Sequence, residues 1–166
     1  MTLGSHQKCI GASQVHCTPK WIVDALGPFD LDPRPWDCAR RNFTERDDGL
    51  SLPWCGRVWL NPPFDRYSVG KWIERMAEHN HGTALLHART EAAWFEPIWR
   101  SASGILFMAD RIHFHKSDGS RHTANSGAPP VLVAFGRADL KVLRSCGIAG
   151  YLITRWEFRA AAVCAA

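Results

Sequence analysis

The chain has 166 residues, which is enough for one domain with a buried core but too short for a separate domain that recognises a target. Hydrophobic residues make up 46% of the sequence, including eight tryptophans and eight phenylalanines, and this excludes an intrinsically disordered protein. The net charge of +4 is compatible with a nucleic-acid partner, and no apolar stretch is long enough to span a bilayer, so we expect no membrane partner.

After a polar and aperiodic N-terminal stretch, strands and helices are predicted to alternate. Thr18 can cap a helix that begins at Pro19 and runs to Gly27. A short strand over residues 29–32 follows, and the segment 36–43 is ambiguous, with a helix as one interpretation.

The remaining elements follow from the spacing of the apolar residues. Helical spacing predicts one helix from Val69 to about Asn80, another that begins at Thr90, and a third over 138–146. Pro97 lies inside the second of these helices and predicts a kink or a late restart. The other predicted strands cover residues 57–60, 83–88, 104–109, 111–115, 131–135 and 151–154.

This alternation predicts an α/β fold with helices on both faces of one sheet. We expect the sheet to be mostly parallel, with an antiparallel hairpin of the strands 111–115 and 131–135 near the C-terminal half. The predicted single domain covers residues 18–156, and residues 1–17 and 157–166 are expected to be flexible tails.

The six cysteines show no C-x-x-C pairing and no signal peptide is recognisable, so we expect a reduced, cytoplasmic protein. Two short groups contain possible metal ligands, His16-Cys17 and His113-Phe114-His115. Neither has a second ligand pair at the spacing of a zinc site, so we expect no metal.

The segment Asn61-Pro62-Pro63-Phe64, called the NPPF segment below, follows the apolar strand residues 58–60. A residue before proline is extended, and proline has no N–H, so this segment is stiff and presents acceptors. The side-chain oxygen of Asn61 and the carbonyl of Pro62 can accept both hydrogens of one –NH₂ group, and Phe64 offers a face for ring stacking. Two such acceptors favour a pyramidal amine nitrogen with a localised lone pair, which can attack a sulfonium methyl donor directly.

A second polar turn, Asp32-Pro33, also follows a short predicted strand. Because open α/β sheets bind ligands outside the carboxyl ends of their strands, both turns would face the same edge if their strands are parallel neighbours. The acidic turn could then hold the amino group of a cofactor while Asn61 holds the target amine.

Further motifs lie between Thr18 and about Gly150. In chain order they are Thr18-Pro19-Lys20-Trp21, Phe29-Asp30-Leu31-Asp32-Pro33, Asp47-Asp48-Gly49-Leu50, Gly56-Arg57-Val58-Trp59-Leu60, Ala88-Arg89-Thr90 with Trp94-Phe95, and Asp110-Arg111-Ile112-His113-Phe114. With the NPPF segment, this ordered set resembles the phage-type DNA N-6-adenine methyltransferase (Dam) family. The resemblance implies a Rossmann-like methyltransferase sheet, S-adenosylmethionine as cofactor, DNA as partner, and a phage or prophage origin in a bacterial host cell.

The resemblance also implies roles for single residues. Asn61, Pro62, Pro63 and Phe64 would be catalytic. The cofactor would lie against Thr18 and Pro19 by its carboxylate, against Asp32 by its ammonium, and against Asp48 by its adenine amine; the implied cofactor-binding set is Thr18, Pro19, Asp30, Asp32, Pro33 and Asp48.

Plainer interpretations of these acids stay open. Asp30 or Asp32 could cap a strand end, and Asp47 and Asp48 could form an Asx turn that Gly49 completes. The segment after Asp32 also departs from the family pattern, because it contains no glycine where a glycine-rich loop is usual.

A base in a duplex must flip out to reach Asn61, so side chains must hold the phosphates meanwhile. Arg89, Thr90, Lys116 and Arg121 are the candidates, although each could also belong to an ordinary solvated loop. Other activities stay possible: methylation of the cytosine amine, of RNA adenine or of a glutamine side chain, or a non-catalytic nucleic-acid-binding module with a degenerate cofactor site.

Overall fold

The structure is a computed structural model, and it describes residues 17–35, 38–44, 46–115, 120, 123 and 125–158. The strands in these ranges are β1 (Leu31–Asp32), β2 (Arg41–Asn42), β3 (Val58–Leu60), β4 (Gly82–His87), β5 (Gly104–Met108), β6 (Pro130–Phe135) and β7 (Gly150–Ile153). The helices are α1 (Lys20–Leu26), α2 (Val69–His79), α3 (Glu96–Ser101) and α4 (Arg137–Ser145), and a 3₁₀ turn, Ala93–Phe95, precedes α3.

The seven described strands form one mixed sheet in the order β2-β1-β3-β4-β6-β5-β7. The pairs from β2 to β4 are parallel, and the pairs from β4 to β7 are antiparallel. As a result β5 runs in the same direction as β1 to β4, whereas β6 and β7 run the opposite way. The predicted α/β fold is therefore confirmed, but the sheet is parallel only from β2 to β4 and antiparallel from β4 to β7, so it is mixed and not mostly parallel.

Helices cover both faces of the sheet. Val58 and Leu60 point to the face on which α2 and α3 pack, and Trp59, which lies between them, points to the face covered by α1 and α4. All three side chains are fully buried. A strand buried on both faces has no polar alternation, which explains the continuous apolar run in β3.

The predicted hairpin strand 111–115 is wrong. β6 pairs with β5 instead, and within the described ranges residues 111–115 make only an isolated bridge between His115 and Cys17. The side chains of Ile112 and Phe114 pack into the core beside α1. Their alternation with polar residues therefore reflects one buried side of an extended segment, not membership of the sheet.

A helix in the ambiguous segment 36–43 is also wrong, because β2 lies there and pairs in parallel with β1. The Asn42 side chain accepts from the Ala39 N–H and donates to the Ala39 carbonyl, and these local bonds replace helical ones. The predicted helix start at Thr90 is wrong, but the late restart near Pro97 is confirmed, since α3 begins at Glu96 after the 3₁₀ turn.

The first helix is confirmed, but Thr18 does not cap it. Pro19 occupies the N-cap position of α1, and no side chain makes a capping hydrogen bond there. The Thr18 hydroxyl instead accepts a hydrogen bond from Asn61. Residues 1–16 and 159–166, most of the two predicted tails, lie outside the described residues.

The strand order indicates where a ligand would bind. From β1 the chain first adds β2 on one side and then β3 on the other, so the order reverses between β1 and β3. In open α/β sheets, ligands bind at such a reversal, outside the carboxyl ends of the strands. Asp32 ends β1 and Asn61 follows β3, so both lie at this place, which we call the carboxyl edge.

Candidate active site

Asn61 is held in a defined orientation at the carboxyl edge. Its side chain is buried, and its Nδ2 donates to the Oγ1 of Thr18 at 3.3 Å. Because the two branches of an amide point about 120° apart, anchoring Nδ2 on Thr18 turns Oδ1 away from Thr18. The bond joins the end of β3 to the residue pair before α1, where Pro19 is also buried.

The rest of the NPPF segment carries an aromatic stack. Pro62 is buried and Pro63 is partly buried. The ring of Phe64 lies parallel to the imidazole of His87, with centroids 4.0 Å apart and an interplanar angle of 12°. His87 ends β4, the strand next to β3, so the stack sits at the carboxyl edge. His87 was not among the predicted site residues, although a histidine at the end of the buried strand β4 was a usable signal.

The chain leaves the NPPF segment through a tight turn, Asp65–Ser68, called the Asp65 turn below. Asp65 Oδ1 accepts from the N–H groups of Tyr67 and Ser68, both at 2.9 Å, and Oδ2 accepts from the Ser68 hydroxyl. The Ser68 hydroxyl and these N–H groups lower the pKa of Asp65, so the carboxylate is charged at neutral pH. These bonds fix the turn and leave the side chains of Arg66 and Tyr67 exposed.

Asp32 stands out among the described acids because its pKa is strongly raised. Its residue is fully buried, Oδ1 accepts from the Arg34 N–H at 2.9 Å, and the buried Oδ2 has no hydrogen-bond partner among the described residues. Burial raises the pKa of Asp32 to about 7, because it disfavours the charged form more than the Arg34 N–H and Cys38 favour it. An unused buried acceptor of this kind suits a cationic group of a ligand.

Asp48 lies in a neighbouring loop but is satisfied by that loop. Its carboxylate accepts from the Leu50 N–H at 3.1 Å and from the Ser51 hydroxyl at 2.6 Å, which is an Asx turn. The Ser51 hydroxyl is the main cause of its lowered pKa. A Cβ on Gly49 would lie 2.4 Å from the Pro33 carbonyl oxygen, so only glycine lets this loop approach the turn after Asp32 so closely.

Asp30 is not brought together with the other predicted cofactor residues. It precedes β1, at the opposite end of the strand from the carboxyl edge, and Oδ2 accepts from the Arg57 N–H at 2.8 Å. Arg40 lies 3.7 Å from its other oxygen. The carboxylate therefore fastens the start of β3 to β1, which is the backbone-capping interpretation.

Two of the four predicted DNA contacts can be located. Arg89 and Thr90 are exposed just beyond the end of β4, and the Arg89 N–H donates to the His87 carbonyl at 2.8 Å. They therefore lie on the same edge as the Phe64 stack. Lys116 and Arg121 lie outside the described residues.

The described ranges contain no helix with the length and hydrophobicity needed to cross a membrane. Within the same ranges, no group of three or more His, Cys, Asp or Glu side chains could hold a metal ion.

Comparison with known protein families gives one assignment. The family model for DNA N-6-adenine-methyltransferase (Dam) matches residues 13–144, well over half of the chain. The match includes Thr18, Asp32, the NPPF segment and His87. No curated protein and no solved structure matches the chain. On the family match, the chain belongs to the DNA N-6-adenine-methyltransferase (Dam) family.

Proposed function

We propose that this protein transfers a methyl group from S-adenosylmethionine to the exocyclic amine of adenine in DNA. The observation that carries the proposal is that two polar strand ends lie at the carboxyl edge of two neighbouring parallel strands. The oriented amide of Asn61 follows β3, and the buried carboxyl of Asp32 ends the adjacent β1. Family membership supplies the substrate class.

The NPPF segment acts on the amine. Asn61 Oδ1 and the Pro62 carbonyl accept the two amine hydrogens and draw the nitrogen lone pair out of conjugation. The bond from Asn61 Nδ2 to Thr18 supports this role, because it keeps a donor from facing the –NH₂ group. Pro62 and Pro63 add no N–H to the pocket and hold the turn stiff.

Phe64 holds the base by stacking. One face of its ring is covered by His87, so the adenine would lie against the other face. Stacking of a base on an aromatic side chain contributes about 1–3 kcal/mol. The ring therefore supplies affinity for a flipped base and sets the plane in which Asn61 meets the amine.

The residues around Asp32 fit the cofactor. When bound, S-adenosylmethionine supplies a methyl group on a positively charged sulfur, and that group is open to attack by an amine. The unpartnered Oδ2 of Asp32 suits the ammonium of its methionine part. Thr18, Pro19 and Pro33 would line the same crevice, and the Asp48 loop, which touches Pro33 through Gly49, would lie beside its adenine. Asp30 takes no part, because its carboxylate is committed to Arg57.

Arg89 and Thr90, with Lys116 and Arg121, would hold DNA phosphates while the target base is out of the stack. We also infer that residues 18–156 are one catalytic domain and that the sheet is a Rossmann-like methyltransferase sheet. The reversal of strand order between β1 and β3 and the helices on both faces support this assignment. One small domain presents little surface for reading bases, so the recognition sequence should be short or relaxed.

Incubation with labelled S-adenosylmethionine and plasmid DNA, followed by nucleoside analysis, tests the proposal. The expected product is N6-methyladenine. Asn61→Ala should lower kcat by about 10²- to 10³-fold, the usual cost of losing one preorganised group. Asn80→Gly is the matched control, because Asn80 has a left-handed backbone at the end of α2, on the opposite edge of the sheet, where glycine is favoured. Methylcytosine, methylated RNA or an unimpaired Asn61→Ala variant would contradict the proposal.

A non-catalytic nucleic-acid-binding module is the second candidate. The observations that favour it are the missing glycine-rich loop and the full burial of Asp32. Calorimetry separates the two candidates, since the enzyme must bind S-adenosylmethionine and the degenerate module must not.

A further inference from the structure

We infer that the Asp65 turn is a DNA wedge, in which Tyr67 enters the base stack beside the flipped adenine and Arg66 lies against a phosphate. The inference rests on the proposed function, because only an enzyme that extracts a base from a duplex leaves a gap to fill. It adds an interaction surface that the family assignment does not specify.

The first observation is the exposure of a large ring on a fixed support. Tyr67 is 78% exposed, and the guanidinium of Arg66 lies 5.2 Å from its ring centroid. The main chain beneath the ring is nevertheless held by two hydrogen bonds from the N–H groups of Tyr67 and Ser68 to the Asp65 carboxylate, which also accepts from the Ser68 hydroxyl. The turn thus holds the backbone of Tyr67 in one place, although the ring adds little to the core.

The second observation is the position of this ring relative to the base-binding residues. Tyr67 follows Phe64 by three residues, a length of chain that spans at most about 11 Å. A flipped base leaves its gap next to the pocket that receives it, so a wedge must lie close to that pocket. Proteins that distort a duplex commonly insert an apolar side chain between base steps.

The third observation is the charge around the ring. Arg66 is exposed beside Tyr67, and Arg89 is exposed beyond the neighbouring strand end. A flat ring with a cation against it, on the edge that also carries Arg89, matches a nucleic acid, which offers aromatic faces between anionic phosphates. An acidic or purely apolar protein partner would match only one of these two features.

The chain provides a matched internal control for the test. It contains two tyrosines, and Tyr151 has the same 78% exposure as Tyr67. Tyr151 lies on β7, which β4, β6 and β5 separate from β3. In protein labelled with 3-fluorotyrosine, each ring gives its own ¹⁹F resonance, which Tyr67→Phe and Tyr151→Phe assign. On titration with a short random-sequence duplex and S-adenosylhomocysteine, the Tyr67 resonance should shift and the Tyr151 resonance should not.

Kinetics then distinguish a wedge from a simple contact. On native plasmid DNA, Tyr67→Ala should lower kcat/KM about tenfold or more, while Tyr67→Trp and Tyr151→Ala stay near the wild type. On heat-denatured plasmid the loss in Tyr67→Ala should be much smaller, because a single-stranded base needs no extraction. An equal loss on both DNAs, or equal effects of Tyr67→Ala and Tyr151→Ala, would overturn the wedge.

The two levels of the proposal can fail separately. If the Tyr67 resonance responds to DNA but the protein methylates nothing, the proposed function fails and the DNA contact of the Asp65 turn is upheld. If adenine is methylated but the Tyr67 resonance stays unmoved at saturating duplex, the wedge is wrong and the proposed function is intact.

Discussion

Thr18 and Asn61, 43 residues apart in the sequence, are joined by a buried hydrogen bond from Asn61 Nδ2 to Thr18 Oγ1. This bond favours the orientation in which Oδ1, and not Nδ2, can face a substrate. An amide turned the other way would present donors to the –NH₂ group, and two sets of donors repel each other. A residue first assigned to the cofactor is thus also a positioning residue for the amine acceptor.

Replacing Thr18 by valine should lower kcat by about tenfold, because valine keeps the shape of threonine but removes the acceptor that orients Asn61. Thr18→Ser keeps the hydroxyl and should stay near the wild type. Initial rates of plasmid methylation give kcat, and calorimetry gives the cofactor affinity of both variants. If Thr18→Val weakens cofactor binding and leaves kcat unchanged, Thr18 acts on the cofactor and not through Asn61.

Part of this site could be predicted from the sequence, and the reason is local. Proline after Asn61 and after Asp32 marks two strand ends, and in parallel neighbours the two ends meet at one edge. The contact between Thr18 and Asn61 could not be predicted, because no local pattern relates residues so far apart. His87 was missed because its role depends on which strand lies beside β3.

The fold shows the same contrast between local features, which the sequence reveals, and pairing between distant segments, which it does not. The helix α2 was predictable, since Val69, Trp72, Ile73 and Met76 are all buried at helical spacing. The strand β2 has two residues and exists through its pairing with β1, which spacing cannot reveal. Alternation wrongly predicts a strand over residues 111–115, because it shows that one side is buried but not what pairs with the backbone.

The affinity for S-adenosylmethionine should depend on pH through Asp32. The carboxyl must lose its proton to hold an ammonium, and its pKa is raised to about 7. Affinity should therefore rise several-fold from about pH 6 to about pH 7, where an α-ammonium with a pKa of about 7.7–8.0 is still mostly protonated. Calorimetry across this interval measures the rise. The Asp32→Asn variant should bind more weakly at every pH with a flat profile, and a flat profile in the wild type would argue against an ammonium at Asp32.

The same carboxyl should lower the stability of the ligand-free protein at neutral pH. Because burial raises its pKa from 3.8 to about 7, the folded state binds this proton more tightly than the unfolded state does. The favourable contribution of this tighter proton binding to the free energy of folding is complete below about pH 3.8, and it is lost as the pH rises through 7. Asp32→Asn should thus have a higher Tm than the wild type at about pH 8, and the difference should shrink at about pH 5. Equal Tm values at the higher pH would show that burial of the charged Asp32 carboxylate does not destabilise the fold.

A buried ion pair at the edge of the sheet opposite the carboxyl edge should contribute to the stability of the fold and not to cofactor binding. Asp139 is fully buried on α4, and its Oδ1 accepts from Arg57 Nε at 2.8 Å and from the Thr83 hydroxyl at 2.9 Å. Asp139→Ala would leave the Arg57 charge without this partner, and such losses cost about 3–5 kcal/mol.

Urea unfolding measures this cost, and calorimetry on the folded fraction should give an unchanged cofactor affinity. The control is Asp24→Ala, which removes an exposed i,i+4 pair with Lys20 and should cost less than about 1 kcal/mol. Equal costs for the two variants would mean that the Asp139 network adds no more than a surface pair.

The stack of Phe64 on His87 should couple the two residues in catalysis. At 4.0 Å and 12° the rings lie almost face to face, an arrangement that two phenyl rings avoid because both faces are negative. The polar imidazole relieves this repulsion, so His87 can hold the Phe64 ring in the plane in which the base would stack.

His87→Ala should lower kcat/KM for DNA by about three- to tenfold, with the cofactor affinity unchanged. Once Phe64 is alanine, removing His87 should cost nothing more, and a double-mutant cycle in kcat/KM measures this coupling. Additive losses would mean that His87 acts on the substrate by itself and not through Phe64.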